Sequence, residues 1–95
     1  GFTTVQEGRA NKSIAETWER LARDGQLKLD VAVYPDIFSE QAYLRGRQSS
    51  VTYRNHFRLA GIKMSLDGSP QGRTAWMTQP YKTPPERQDR DYAGY

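Results

Sequence analysis

The chain has 95 residues, enough for one small domain. Hydrophobic residues make up 36%, mean hydropathy is −0.89, and with no cysteine and one histidine, His56, neither a disulfide framework nor a self-contained His/Cys zinc site can form. Lys+Arg number 14 against 11 Asp+Glu, a formal +3 with the signs interspersed, which lacks the clustered basic footprint of a nucleic-acid binder. No apolar run approaches the roughly 20 residues of a membrane helix, so no membrane partner is expected. No signal peptide opens the chain, which favours the cytoplasm. The start reads as a strand entered without a start signal, and the end stops as if before a new element, so the chain reads as an excerpt.

Residues 2–6 are β-branched and aromatic, a plausible buried strand that Glu7-Gly8 closes. Glu7 then falls at a strand's carboxyl end, where a solvated loop carboxylate is the plainer reading. Ser13 and Glu16 have capping-box spacing at the head of a helix over residues 13–24. Ile14, Trp18, Leu21 and Ala22 form its apolar stripe, so Trp18 belongs to the core. Glu16–Arg20 and Glu19–Arg23 are favourable i,i+4 pairs, and Gly25 supplies the stop. Residues 27–34 alternate Leu27, Leu29, Val31 and Val33 with Lys28, Asp30, Ala32 and Tyr34, and Pro35 ends this second strand. Strand, helix and strand with short links make a βαβ unit and hence a parallel pair.

Asp36 or Ser39 could cap a short helix around Ala42, Tyr43 and Leu44, stopped at Gly46. Residues 47–55 have no clear period. His56, with no carboxylate or cysteine near it in sequence, reads as structural or solvated. Residues 61–73, GIKMSLDGSPQGR, begin as a further strand, with Ile62, Met64 and Leu66 on one face and Lys63, Ser65 and Asp67 on the other. A lysine is costly to desolvate, so its place in such a strand asks for a reason; a half-exposed sheet is the ordinary one. Asp67-Gly68-Ser69-Pro70 is a strong turn signal. Beyond Arg73 come a short patch, Ala75-Trp76-Met77, and then Pro80, Pro84 and Pro85 among charged residues, so residues 68–95 read as a long loop.

Residues 1–8, GFTTVQEG, and 59–81, LAGIKMSLDGSPQGRTAWMTQPY, resemble the amidohydrolase superfamily, in particular its family 3 branch, which includes N-substituted formamide deformylases. The matching positions are Gly61, Ile62, Lys63, Asp67, Gly68, Ser69, Gly72, Arg73, Thr74, Ala75, Pro80 and Tyr81. The sequence departs from the family pattern at Met64-Ser65 and at Pro70-Gln71. The resemblance implies an α/β segment of a (β/α)8 (TIM) barrel near its third and fourth strands, less than half of a fold of roughly 250 residues. The expected architecture is therefore one βαβ unit, a further strand and a long Pro-rich loop.

The same resemblance implies a metal-dependent hydrolase of non-peptide C–N bonds in amides or formamides. Lys63 would be a metal ligand as a bridging carbamate, and Asp67, Arg73 and Trp76 would lie near a small-molecule amide substrate. The cofactor the resemblance implies is a divalent metal, zinc by family habit, held in the parent protein and not in the segment alone. The isolated segment is expected to be inactive and, with uncovered strand edges, prone to self-association. The competing reading is a small non-catalytic interaction module that uses its Pro- and Tyr-rich C-terminal loop.

Overall fold

Val31, Ala32 and Val33 are all buried, because their strand has a neighbour on each side and a helix layer over one face. In the computed structural model, which describes residues 1–94, the elements are β1 (Thr4–Ala10), α1 (Lys12–Arg23), β2 (Asp30–Pro35), α2 (Gln41–Leu44) and β3 (Phe57–Leu59). The chain divides into two compact units, Gly1–Met64 and Ser65–Tyr95.

The first unit is a parallel sheet in the order β1-β2-β3, so each strand lies beside its neighbour in sequence. The expected parallel pairing across the first helix is present. Val31 sits between Val5 and Phe57, and Val33 between Glu7 and Leu59. By strand alternation these rows share one face, and Gln6, Ala32 and Arg58 form the row on the other. Ala10, Ala15, Val31, Val33, Tyr43 and Leu59 make the core, with Trp18, Leu27, Leu29 and Leu44 among the half-buried residues against it.

Several boundaries differ from the sequence expectation. β1 starts and ends later than residues 2–6: Phe2 is exposed, and pairing with β2 continues past Gly8 to Ala10. Glu7 is therefore inside the strand, beside Val33, and not at its end. The first helix is capped by Asn11, whose Oδ1 accepts from the Ile14 N–H at 2.9 Å, and not by Ser13. Asparagine caps at least as well as serine, and the Asn11 carbonyl already accepts from Ala15, so the cap sits two residues earlier than the capping box suggests. Its C-terminus is the expected glycine stop: Gly25, at φ 66°, donates to Ala22 and Gln26 donates to Leu21, a Schellman arrangement.

The helix also meets the sheet through smaller residues than expected. Ala15 and Ala22 are buried, Trp18 and Leu21 are half-buried, and Ile14 is exposed. Glu19 turns away from the expected Arg23. Its Oε1 accepts from the Tyr43 hydroxyl at 2.8 Å and pairs with Arg47, whose guanidinium lies 4.1 Å from the centre of the Tyr43 ring. Burial and the Glu19 carboxylate raise the Tyr43 pKa, so the phenol remains a proton donor that ties α2 to α1.

The largest difference concerns the third strand. It lies at residues 57–59, and Ile62, Met64 and Leu66 are exposed. The partner decides this. β2 is six residues long, and its register sets Val31 to Val33 against residues 57–59. By residue 62 β2 has reached its terminal proline, and one bridge remains, Asp36 with Lys63. The segment before β3 returns along it: Arg54 and Phe57 form an antiparallel bridge around Asn55 and His56, whose φ values are 50° and 65°. Two successive positive φ angles are what a tight two-residue hairpin turn requires. Among the described residues, no helix is long and apolar enough to cross a membrane.

Candidate functional site

β2 reaches the carboxyl end of the sheet with a neighbour bulging on either side. Glu7 pairs with Val33 but Ala10 with Pro35, so β1 carries an extra residue around Gly8 and Arg9. Leu59 pairs with Val33 but Lys63 with Asp36, so the β3 side carries one too. Bulges at a sheet rim re-aim side chains, and here they bring Arg9, Asp36 and Lys63 to one rim.

Asp36 is the anchor. It is buried, and its Oδ1 accepts from the N–H groups of Phe38 at 2.9 Å and Ser39 at 3.2 Å. Its Oδ2 accepts from Arg9 Nε at 2.8 Å. The Arg9 guanidinium and the Ser39 and Phe38 N–H groups hold the carboxyl below its ordinary value of 3.8, against the opposing effect of burial. A depressed folded pKa stabilises the fold above the unfolded value, and that stability is lost as pH falls through the folded value. The thermal midpoint is therefore expected to drop as pH falls from about 5 towards 2, and Asp36→Asn to flatten that part of the profile while lowering the midpoint at neutral pH. Melting curves across this range check it; an unchanged profile in Asp36→Asn would place the acid sensitivity elsewhere.

Lys63 is fixed by its backbone. Its N–H donates to the Pro35 carbonyl at 2.7 Å, and its carbonyl accepts from the Ile37 N–H at 2.9 Å. Its side chain is exposed and, among the described residues, makes no ion pair. It thus stands at the last point of sheet pairing, at the strands' carboxyl ends. The described residues contain no group of three or more His, Cys, Asp or Glu side chains that could hold a metal ion. Asp36 is fully engaged by its own donors, so the rim offers a metal one amine and nothing that completes a centre.

The other expected site residues lie in the second unit, where they build a folded loop. Asp67 Oδ1 accepts from the Gly68 N–H at 2.6 Å and the Trp76 N–H at 3.0 Å. The Ser69 N–H donates to Thr74 Oγ1 at 2.8 Å, and Ser69 Oγ accepts from the Gly72 N–H at 3.0 Å. Asp67 therefore acts on main-chain donors, closing the turn and fixing where Trp76 begins. Arg73, at φ 57°, directs Nη1 to the Pro84 carbonyl at 3.4 Å, and Trp76 is 67% exposed. The tail folds back on the same unit: Met77 donates to the Ala93 carbonyl, Tyr81 to the Tyr92 carbonyl, and the two tyrosine rings stack 6.0 Å apart.

Gly68 is a tight point of this loop. A Cβ there would lie 2.3 Å from the carbonyl carbon and oxygen of Thr74, a distance that main chain cannot tolerate without moving. Gly68→Ala is expected to open the turn at a cost of about 1–3 kcal/mol. Hydrogen exchange at the Trp76 and Ser69 amides reads it, and undiminished protection at both would contradict it.

At the opposite end of the sheet, His56 Nδ1 lies 2.9 Å from Asp30 Oδ1. The sequence offers no carboxylate near His56; the fold supplies one from β2, 26 residues earlier. The pair braces a hairpin turn whose positive φ would suit glycine better than histidine.

Sequence reasoning missed Arg9 and considered Asp36 as a helix cap. An Asp directly after the proline that ends a strand, and a Gly-Arg pair late in another, were the signals that could have found them. Comparison with known proteins adds no relative: no family, curated protein or solved structure matches the chain.

Proposed function

We propose that these residues form part of a metal-dependent amidohydrolase that cleaves non-peptide C–N bonds of amide or formamide type. The observation that carries the reading is the place of Lys63, at the carboxyl-end rim of a parallel sheet with its side chain open to solvent. Ligand and catalytic groups of α/β folds collect at that rim. Sequential strand order with helices between is also what one arc of a (β/α)8 barrel requires, which supports the resemblance of residues 1–8 and 59–81 to that superfamily.

In this reading Lys63 serves as a carbamate. An ammonium has donors only, whereas a neutral lysine amine that adds carbon dioxide and releases a proton would present two oxygens sharing one negative charge. On this reading the remaining metal ligands come from residues outside this chain, since the described residues form no ligand cluster. A divalent metal such as zinc, when bound, lowers the pKa of a water and polarises the amide carbonyl. Asp67 shapes the loop that presents Trp76, and Arg73 braces that loop on Pro84, so the two act by positioning while Trp76 offers an exposed aromatic wall.

The complete polypeptide that carries this chain is expected to hydrolyse N-formyl or N-acyl amines, to lose that activity on chelation and to regain it with zinc. Hydrolysis indifferent to chelator would overturn the reading. A second reading, an interaction module, is favoured by Leu66 and Trp76, which stand 88% and 67% exposed in the second unit. It predicts no amide hydrolysis under any metal.

A further inference from the structure

The outer edge of β3 is taken by the chain that leads into it. The Ser50 N–H donates to the Leu59 carbonyl at 2.8 Å and the Arg54 N–H to the Phe57 carbonyl at 2.8 Å, so residues 50–54 run back along the strand. They bend on their own hydroxyls, the Thr52 N–H donating to Ser50 Oγ at 3.1 Å. A cleft of about 460 Å³ lies here, lined by Glu19 of α1, by Arg47, Ser49 and Arg54, and by Phe57 and Arg58 of β3. Three arginines and one glutamate leave two positive charges in excess. Glu19 is already engaged by the Tyr43 hydroxyl and Arg47, and Asp30, at the tip of the hairpin, by His56.

The other two arginines have no acid partner among the described residues. Arg54 is exposed, and its side chain makes no hydrogen bond to any described residue. Arg58 is half-buried and held in place by neutral groups: Nη1 donates to the Ser50 carbonyl at 3.1 Å, and the guanidinium lies 5.0 Å from the centre of the Tyr53 ring. Its Nε–H is buried with no acceptor among the described residues. A fixed, partly desolvated cation without a counter-charge is costly, and an anion beside it removes that cost. Arginine forks match the oxygens of a phosphate, and the Ser49 hydroxyl, likewise without a partner there, adds a further donor. A phosphate monoester carries roughly two negative charges at neutral pH, which equals the excess in the cleft and exceeds what one carboxylate brings. Phe57, half-buried beside the arginines, offers an apolar wall for the organic part. We propose that this cleft binds a small organic phosphate monoester, with Arg54 and Arg58 on the phosphate oxygens and Phe57 against the ester group. The inference goes beyond the hydrolase reading and does not rest on it.

The test is a titration of the nitrogen-15-labelled protein with phenyl phosphate, inorganic phosphate and phenol, each at the same ionic strength in sodium chloride. Phenyl phosphate is expected to shift the Arg58 Nε–H signal and the amides of Ser50 and Arg54. Inorganic phosphate should shift the same signals with lower affinity, and phenol should leave the arginine signal in place. Arg54→Gln removes a side chain that has no partner in the fold, so it should weaken binding about tenfold or more with the melting temperature unchanged. Glu19→Gln keeps an oxygen for the Tyr43 hydroxyl and removes the acid from the cleft, so it should strengthen binding severalfold. Shifts that sodium chloride alone reproduces, an unaltered affinity in Arg54→Gln, or a weaker one in a folded Glu19→Gln would each overturn the site. Inorganic phosphate binding as tightly as phenyl phosphate would overturn the assignment of an ester.

Discussion

Val33→Asp is expected to abolish cooperative folding of residues 1–64. Val33 is fully buried and lies between Glu7 and Leu59 in the middle of the sheet. A carboxylate there would have no donor left to meet it, because the main-chain groups of β2 are already engaged with both neighbours. An uncompensated buried charge costs several kcal/mol, and a small domain holds only about 5–15 kcal/mol in total. Val33→Ala isolates the packing part: it should cost about 2 kcal/mol and keep a cooperative melt. Circular dichroism on heating separates the two. A Val33→Asp chain that melts cooperatively within a few degrees of the parent would show that β2 is not the centre of the fold.

What could be read beforehand followed from local chemistry. The alternation through Leu29, Val31 and Val33, closed by Pro35, marks a strand whatever surrounds it, and the apolar spacing through Trp18 to Ala22 marks a helix. A helix between two short links then leaves little choice but a parallel pair. Where two local signals competed, the sequence was ambiguous. Asn11 and Ser13 are both good caps, and only the packed position of Ala15 and Ala22 selects Asn11.

The third strand was misplaced for a different reason. Residues 62–66 alternate as well as any strand, but alternation supplies no partner, and β2 ends before they arrive. The rim was the least legible part. Arg9 and Asp36 are 27 residues apart, and their contact depends on one inserted residue in β1. The family resemblance implies Asp67 beside substrate; its Oδ1 accepts from the N–H groups of Gly68 and Trp76, a use that only the folded loop reveals.

The second large effect is expected at Lys63. Its main chain is clamped between Pro35 and Ile37, so removing the side chain should leave the rim's backbone in place. The side chain is exposed and makes no ion pair among the described residues, so its loss should cost the fold little, within about 0.5 kcal/mol. If Lys63 is the carbamate ligand we propose, its loss would be severe, because the other rim carboxylate cannot replace it: Asp36 is engaged by Arg9, Phe38 and Ser39. Stability and metal binding therefore separate cleanly at this residue. The decisive measurement is the metal content of Lys63→Ala in the protein, taken alongside its turnover of an N-acyl amine and its melting temperature. The account predicts an unchanged melt of the metal-free protein, loss of bound metal and activity together, and partial recovery of both with added short carboxylic acids. Full metal occupancy with near-normal turnover would contradict it and leave Lys63 an ordinary lysine at the end of a sheet.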